Sequence, residues 1–143
     1  MAGRIRIMKA RPEDLIEVRE LWRQVSVEVG VGAPPPTGDG RLFVALDRDR
    51  VVGCALVALE DAAMARITDV AVARALRQQG VGRALVEAAV VWSRDRGARS
   101  LCVDAADLAL GFWRRVGFGG DGPRLERRVL GPADSLTETE SAG

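Results

Sequence analysis

Residue types that could bind a charged ligand concentrate in one segment, residues 70–85, which reads VAVARALRQQGVGRAL. Gly80 and Gly82 stand where the alternation of a strand gives way to the period of a helix. The first N–H groups of a helix lack internal partners and carry partial positive charge. Glycines let a ligand approach this backbone, and Arg77 and Arg83 add fixed charge. The segment therefore predicts a cradle for a pyrophosphate group.

Two familiar phosphate-binding signatures do not fit this segment. The P-loop needs a Lys-Ser/Thr pair after its glycines, and none follows here. The dinucleotide fingerprint needs a third glycine where this chain has Leu85. A purely structural alternative stays open at this point, in which the two glycines only tighten the turn from strand to helix.

Hydrophobic periodicity predicts the elements that must position the segment. In the N-terminal half, alternation predicts a first strand, and Pro12 opens a helix with Glu13 and Asp14 in its first turn. A Pro/Gly-rich loop follows, and then three consecutive strands form an antiparallel meander. The predicted ranges are strand 4–9, helix 12–28, loop 30–40 and strands 41–46, 51–59 and 65–73.

The C-terminal half follows a βαβα pattern that calls for a parallel strand pair. Its predicted elements are helix 80–96, strand 101–103, a helix from Asp104 or Asp107 to about residue 116, and strand 124–130, with Gly97 and Gly117 ending the two helices. We expect a mixed α/β single domain over residues 1–130 with a central mixed sheet. The polar residues 131–143 are expected to be a disordered tail.

Composition excludes several classes of function. The 143 residues suit one domain, and the net charge of +1 argues against a surface that coats nucleic acid. The chain has no histidine, which excludes imidazole metal sites and Ser-His-Asp triads, and it has no tyrosine. No signal peptide or segment of membrane-spanning length is present, so we expect no membrane partner and a cytoplasmic protein. Cys54 and Cys102 lie in apolar runs and are expected to be reduced, buried thiols.

Two motifs together carry a family resemblance. Arg77-x-x-Gly80-x-Gly82 follows a strand, and Phe112-Trp113-x-x-x-Gly117-Phe118 lies further along the chain. These resemble the two signature regions of the GNAT superfamily of acetyl-CoA-dependent N-acetyltransferases. The order of strands and helices is similar to that of the family as far as residue 130, so the resemblance covers nearly the whole chain apart from the tail.

The resemblance implies acetyl-CoA as the acetyl donor. Backbone amides of Gln78, Gly80, Gly82 and Arg83 would bind its pyrophosphate. Val70 and Val72 would pair with the pantetheine, an amide near Val72 would polarise the thioester carbonyl, and Phe112 and Trp113 would flank the thiol end. The implied contact set is Val70, Val72, Arg77, Gln78, Gln79, Gly80, Val81, Gly82, Arg83, Phe112 and Trp113.

This sequence departs from the family pattern at two positions. Trp113 occupies the place of the usual tyrosine that protonates the departing thiolate, and Ala106 occupies that of the usual asparagine. Asp69 stands on the strand before the loop, where the family often carries an acid facing the acceptor. We predict that Asp69 binds the amine or acts as a base through water; its alternative is a strand residue facing solvent.

Other charged and aromatic residues have plainer interpretations. Glu60 and Asp61 read as turn residues, and Asp104 as a helix cap. Trp22 and Trp92 lie on apolar helix faces and are predicted to be core. The arginines of the last strand, Arg124, Arg127 and Arg128, are expected to protect a sheet edge.

The leading hypothesis is an N-acetyltransferase in which a primary amine attacks acetyl-CoA directly. The acceptor would be a small amine, an amino acid or a peptide amine. The alternative is a non-catalytic acyl-CoA-binding sensor or interaction module with a GNAT-like fold, which Trp113 favours. A fold that has lost CoA binding is a third possibility, and the intact loop from Arg77 to Gly82 argues against it. A homodimer is plausible from the resemblance.

Overall fold

The computed structural model of the chain describes residues 5–29, 40–104, 110–121 and 123–129, apart from the side chains of residues 26–29 and 69. Six strands form one sheet in the order β1-β2-β3-β4-β5-β6. The elements are β1 (Ile5–Lys9), α1 (Leu15–Val29), β2 (Arg41–Asp47), β3 (Arg50–Leu59), β4 (Met64–Val72), α2 (Val81–Asp95), β5 (Ser100–Asp104), α3 (Leu110–Arg115) and β6 (Arg124–Arg128). Short 3-10 turns at Pro12–Asp14 and Arg74–Leu76 precede α1 and α2.

The pairing of the strands confirms the predicted mixed α/β fold. β1, β2 and β3 pair antiparallel along the chain, whereas β4 and β5 pair in parallel. Gly97 and Gly117 adopt positive φ angles of 87° and 98° directly after α2 and α3, as expected of glycines that end helices. The predictions for the loop at 30–39, for Ala106 and Asp107, and for the tail at 131–143 lie outside the described residues.

The chain forms two compact units, and the first contains the described residues 5–29, 40–57 and 67–89. Its sheet has two apolar faces. On one face, α1 contributes Val18, Leu21, Trp22 and Val25 to a cluster with alternate residues of β2 and with residues of β3 and β4. On the other face, the Cβ position of Gly53 approaches Leu85 and Val81 of α2. The first half of α2 is therefore packed tightly on the face opposite α1.

The second unit contains the described residues 58–66, 90–104, 110–121 and 123–129. β5 and β6 pair antiparallel, with Leu101, Val103 and Leu125 fully or almost fully buried. Gly119 and Glu126 also exchange both backbone hydrogen bonds, at 2.9 Å each. β6 is the last strand in the sheet order, as predicted, and the isolated bridge to Gly119 adds a single residue pair on its outer side.

Candidate active site

The predicted cradle lies in the first unit, between the end of β4 and the start of α2. Its backbone turns through the left-handed region twice, at Gln78 (φ 65°) and at Gly80 (φ 86°). A glycine adopts this conformation without strain, whereas Gln78 is held in it at some energetic expense. The two turns reverse the chain so that it can enter α2 at Val81.

The backbone at Gly80 is not crowded by the rest of the described structure. Apart from its neighbours in the chain, no described heavy atom lies within 4 Å of a Cβ atom placed on Gly80. The Ala84 N–H donates to the Gly80 carbonyl at 3.0 Å, which places Val81, Gly82 and Arg83 in the first turn of α2. N–H groups of a first helical turn have no acceptor inside their own helix. This end of the helix can therefore offer several N–H donors to an anion.

Hydrogen bonds stabilise the loop internally and connect it to β4 and β3. Arg77 donates from Nε to the Val72 carbonyl at 3.1 Å, and Gln79 donates from Nε2 to the Ala75 carbonyl at 3.3 Å. The Ala73 N–H donates to the Val52 carbonyl of β3 at 2.8 Å. Arg77 thus makes a hydrogen bond to the end of β4, in addition to carrying the positive charge noted in the sequence.

Val70 and Val72 lie on the last part of β4, and both are partly buried. Ala71 between them is buried in the α1 cluster, so the two valines face the opposite way. Among the described residues, β4 pairs with β5 at Met64, Ala65 and Arg66, and β4 then continues to Val72. The strand segment that leads into the loop therefore extends well beyond its recorded pairing with β5.

Asp69 lies within β4, three residues before Val72. Its side chain is outside the described part of the structure. The role assigned to it from the sequence therefore stays a prediction.

Phe112 and Trp113 belong to the second unit, on α3. Trp113 is buried, and its ring meets those of Phe112 and Phe118 edge to face, with centroids 5.0 and 5.1 Å apart. Such pairs favour one fixed ring orientation. The residue in the place of the usual tyrosine thus belongs to an aromatic cluster, while Phe112 is partly exposed.

A network of ion pairs in the second unit was missed by the sequence reasoning. Glu60 pairs with Arg66 and with Arg124, and both arginines also pair with Asp104. Arg124 Nη2 donates to Glu60 Oε1 at 2.7 Å. Glu60 does lie at the predicted turn, where its N–H donates to the Met64 carbonyl at 2.8 Å. The network gives Glu60 and Arg124 contacts beyond the turn and edge roles expected of them.

Cys102 lies against this network. Its thiol donates to Glu60 Oε2 at 3.7 Å, and the residue is completely buried. Burial and the negative charge of Glu60 raise the pKa of the Cys102 thiol to about 11. Cys54 is also buried, and both cysteines are free thiols as predicted. A thiol with so high a pKa is a poor nucleophile at neutral pH.

The described residues contain no cluster of three or more His, Cys, Asp or Glu side chains that could hold a metal ion. Nor do they include a helix long and apolar enough to cross a membrane.

The sequence of this chain is similar to those of known proteins. The family model described as "Acetyltransferase (GNAT) family" matches residues 12–118. An uncharacterized N-acetyltransferase of Chlorobaculum tepidum is 34% identical over 76 residues, which are 53% of this chain and 48% of that relative. The chain thus matches only about half the length of this relative.

Solved structures share the fold. An acetyltransferase of the GNAT family from Staphylococcus aureus superposes with a TM-score of 0.75 at 14% identity, covering 87% of this chain and 99% of the other. Ard1 from Thermoplasma volcanium gives 0.73 at 20% identity, with 89% and 99% covered. N-acetylglutamate synthase from Neisseria gonorrhoeae, complexed with coenzyme A and N-acetyl-glutamate, gives 0.74 at 18% identity, with 87% and 35% covered.

Proposed function

Because the chain belongs to the GNAT acetyltransferase family, we propose that it transfers the acetyl group of acetyl-CoA to a primary amine. The observation that carries this proposal is the loop from Arg77 to Arg83. Its positive φ angles, the lack of close described atoms around the Cβ position of Gly80 and the first turn of α2 fit a pyrophosphate group. The loop amides of Gln78, Gly80, Gly82 and Arg83 are the proposed donors. Arg77, Gln79 and Val81 complete the proposed contact segment.

The other donor contacts are also proposals. The backbone of Val70 and Val72 pairs with the pantetheine, and the amide near Val72 donates to the thioester carbonyl, where negative charge develops during the reaction. Phe112 and Trp113 flank the thiol end. In the transfer, the amine nitrogen forms a bond to the carbonyl carbon, the C–S bond breaks with its electron pair on sulfur, and the amine loses one proton.

Loss of the usual tyrosine does not prevent this reaction. A thiol with a reference pKa of about 8.5 leaves as thiolate at pH 7 with a penalty of only about 2 kcal/mol. The indole of Trp113 supplies no proton at an accessible pKa. We therefore propose that the thiolate leaves unprotonated and takes its proton from water.

Deprotonation of the acceptor amine is the more demanding step. A primary amine of pKa near 10 is about three units from neutral at pH 7, which corresponds to roughly 4 kcal/mol. We assign Asp69 to this step, as the carboxylate that binds the amine or accepts its proton through a water molecule. The nucleophile is the amine itself, because Cys102 has a raised pKa and is buried.

One observation favours a second candidate function, a non-catalytic acyl-CoA sensor. Trp113 is buried between Phe112 and Phe118, so a structural residue occupies the place of the usual acid. A sensor would bind acetyl-CoA without releasing CoA. The two candidates therefore differ in turnover and not in binding.

A thiol-release assay distinguishes them. Acetyl-CoA is mixed with pools of small amines, amino acids and peptides, and wild type and Asp69→Ala are compared. We expect release with one pool and a strong loss of rate in the variant. Calorimetric binding of CoA without release from any pool would indicate a sensor, and equal rates in the variant would remove Asp69 from the mechanism.

A binding experiment tests the cradle separately. Gly82→Trp places a large side chain in the first turn of α2 and should abolish binding of CoA. Val91→Trp serves as the matched control, because Val91 is exposed at 44% on the same helix. Equal CoA affinity in both variants would contradict the assignment of the cradle.

A further inference from the structure

A cavity of about 520 Å³ lies in the first unit, between α1 and the hairpin that joins β2 to β3. Its apolar lining includes Leu21, Val51 and Ala73. Its polar lining includes Gln24 from α1 and Asp47 and Arg48 from the hairpin. A concave surface of this size with a few convergent polar groups is the usual form of a small-molecule site.

Three of the charged residues in the lining, Glu17, Glu20 and Arg50, already have partners. Glu17 accepts a hydrogen bond from the Val51 N–H at 3.0 Å and lies 3.7 Å from Arg50 Nε. Glu20 pairs with Arg23. The contacts of Glu17 connect α1 to the start of β3, whereas the pair of Glu20 and Arg23 lies within α1.

The side chains of Gln24, Asp47 and Arg48 differ from these. Within the described ranges, none of these three side chains makes a hydrogen bond or ion pair with the protein. Asp47 is partly buried, and Arg48 adopts a positive φ of 60° at a turn position that favours asparagine or glycine. A carboxylate and a guanidinium without partners thus stand on neighbouring residues of one cavity.

We propose that this cavity binds a small zwitterion of the α-amino acid type with an aliphatic side chain. The ammonium group pairs with the Asp47 carboxylate, and the ligand carboxylate pairs with the Arg48 guanidinium. The aliphatic side chain lies against Leu21 and Val51, and the Gln24 amide can donate to or accept from either end. The cavity lining shares no residue with the proposed acetyl-CoA contacts, although Ala73 directly follows Val72, so the inference goes beyond the proposed function.

Calorimetry without acetyl-CoA, at low ionic strength, tests the site with L-valine as probe. Isobutylamine lacks the carboxylate and isovalerate lacks the ammonium, so the three probes separate the two charge contacts. The variants are Asp47→Asn and Arg48→Asn, the latter chosen because asparagine tolerates the left-handed conformation. Asp49→Asn is the control, since Asp49 is in the same turn, outside the cavity lining, with a side chain exposed at 97%. Circular dichroism verifies that each variant is folded.

We expect L-valine to bind wild type and Asp49→Asn equally, and each of the other two variants at least about tenfold more weakly. Binding of isobutylamine should weaken in Asp47→Asn and stay unchanged in Arg48→Asn. Binding of isovalerate should weaken in Arg48→Asn and stay unchanged in Asp47→Asn. No saturable binding of L-valine to wild type at about 10 mM would overturn the proposal. Equal affinity for L-valine in all four folded proteins would overturn it too.

Discussion

The Cβ position of Gly53 in β3 lies 3.0 Å from Leu85 Cδ1 in α2. Val81 Cγ1, at the start of the same helix, is 3.2 Å from that position. Leu85 is completely buried and Val81 almost so. Because both side chains are buried at such short distances, the absence of a side chain at Gly53 allows the N-terminal half of α2 to lie this close to the sheet.

Gly53→Ala should therefore destabilise the protein and displace the start of α2. Overpacking of this kind costs about 1–3 kcal/mol, and we expect the KM for acetyl-CoA to rise because the loop amides move with the helix. Chemical unfolding and steady-state kinetics measure the two effects. Gly119→Ala is the control, because no described residue other than its chain neighbours lies within 4 Å of its Cβ position, and stability should change by less than about 0.5 kcal/mol. Equal changes in stability and in the KM for acetyl-CoA in Gly53→Ala and Gly119→Ala would contradict the packing argument.

Asp14 anchors the turn before α1. It is buried at 3% exposure and accepts hydrogen bonds from the Arg11 N–H at 2.8 Å and from Arg11 Nη2 at 3.0 Å. These bonds to the Arg11 side chain and backbone lower the pKa of Asp14. Asp14→Ala should lower the free energy of unfolding by about 1–3 kcal/mol at neutral pH.

The difference between wild type and Asp14→Ala should depend on pH. A carboxyl with a lowered pKa in the folded state contributes fully above its unfolded pKa of about 3.9 and loses that contribution as the pH falls below it. Urea unfolding between pH 7 and pH 2.5 measures this. Glu13→Ala is the control, because the Glu13 side chain is exposed at 71% and its pair with Arg11 is a surface one. If wild type and Asp14→Ala differed by a constant free energy of unfolding down to pH 2.5, the ionised Asp14 carboxylate would be excluded as the source of the difference.

Cys102 should be inert in the folded protein. With its pKa raised to about 11, only about a thousandth of the thiol is ionised at pH 8, and the buried sulfur is out of contact with reagents. Titration with a thiol-reactive disulfide such as DTNB should detect no cysteine in the native protein. In guanidinium chloride it should detect both Cys54 and Cys102. Rapid labelling in the native state, followed in a Cys54→Ala variant, would contradict the burial of Cys102.

The main elements could be predicted because their signals are local. Alternation over residues 41–46 and 51–59, for example, identified β2 and β3 to within a residue or so. Gly97 and Gly117 ended their helices because each position needs a positive φ. Trp22 is buried in the α1 cluster as periodicity indicated.

What the sequence did not predict depends on residues far apart in the chain. Glu60 and Arg124 are 64 positions apart, and each has an adequate local interpretation, as a turn residue and as an edge arginine. The fold brings them together because β4, which follows Glu60, and β6, which begins with Arg124, both lie beside β5 in the sheet. Trp92 also differs from its core prediction, since it is only partly buried and the Arg96 guanidinium lies 5.1 Å from its ring centroid.

The pH dependence of the acetyl transfer tests the proposed mechanism. The chain contains no histidine, which is the side chain whose ordinary pKa lies between pH 5 and 8. If a neutral amine attacks the thioester, kcat/KM should rise about tenfold per pH unit from pH 6 to 9, following the acceptor with a pKa near 10. The measurement is initial thiol release under subsaturating acceptor, with an enzyme-free blank at each pH to correct for hydrolysis of acetyl-CoA. An inflection near pH 6.5 would instead assign the titration to a group of the enzyme and contradict the prediction. With an acceptor amine of lower pKa, kcat/KM should reach its plateau at a pH that is lower by the difference between the two acceptor pKa values. The reason is that the titrating group belongs to the acceptor and not to the protein.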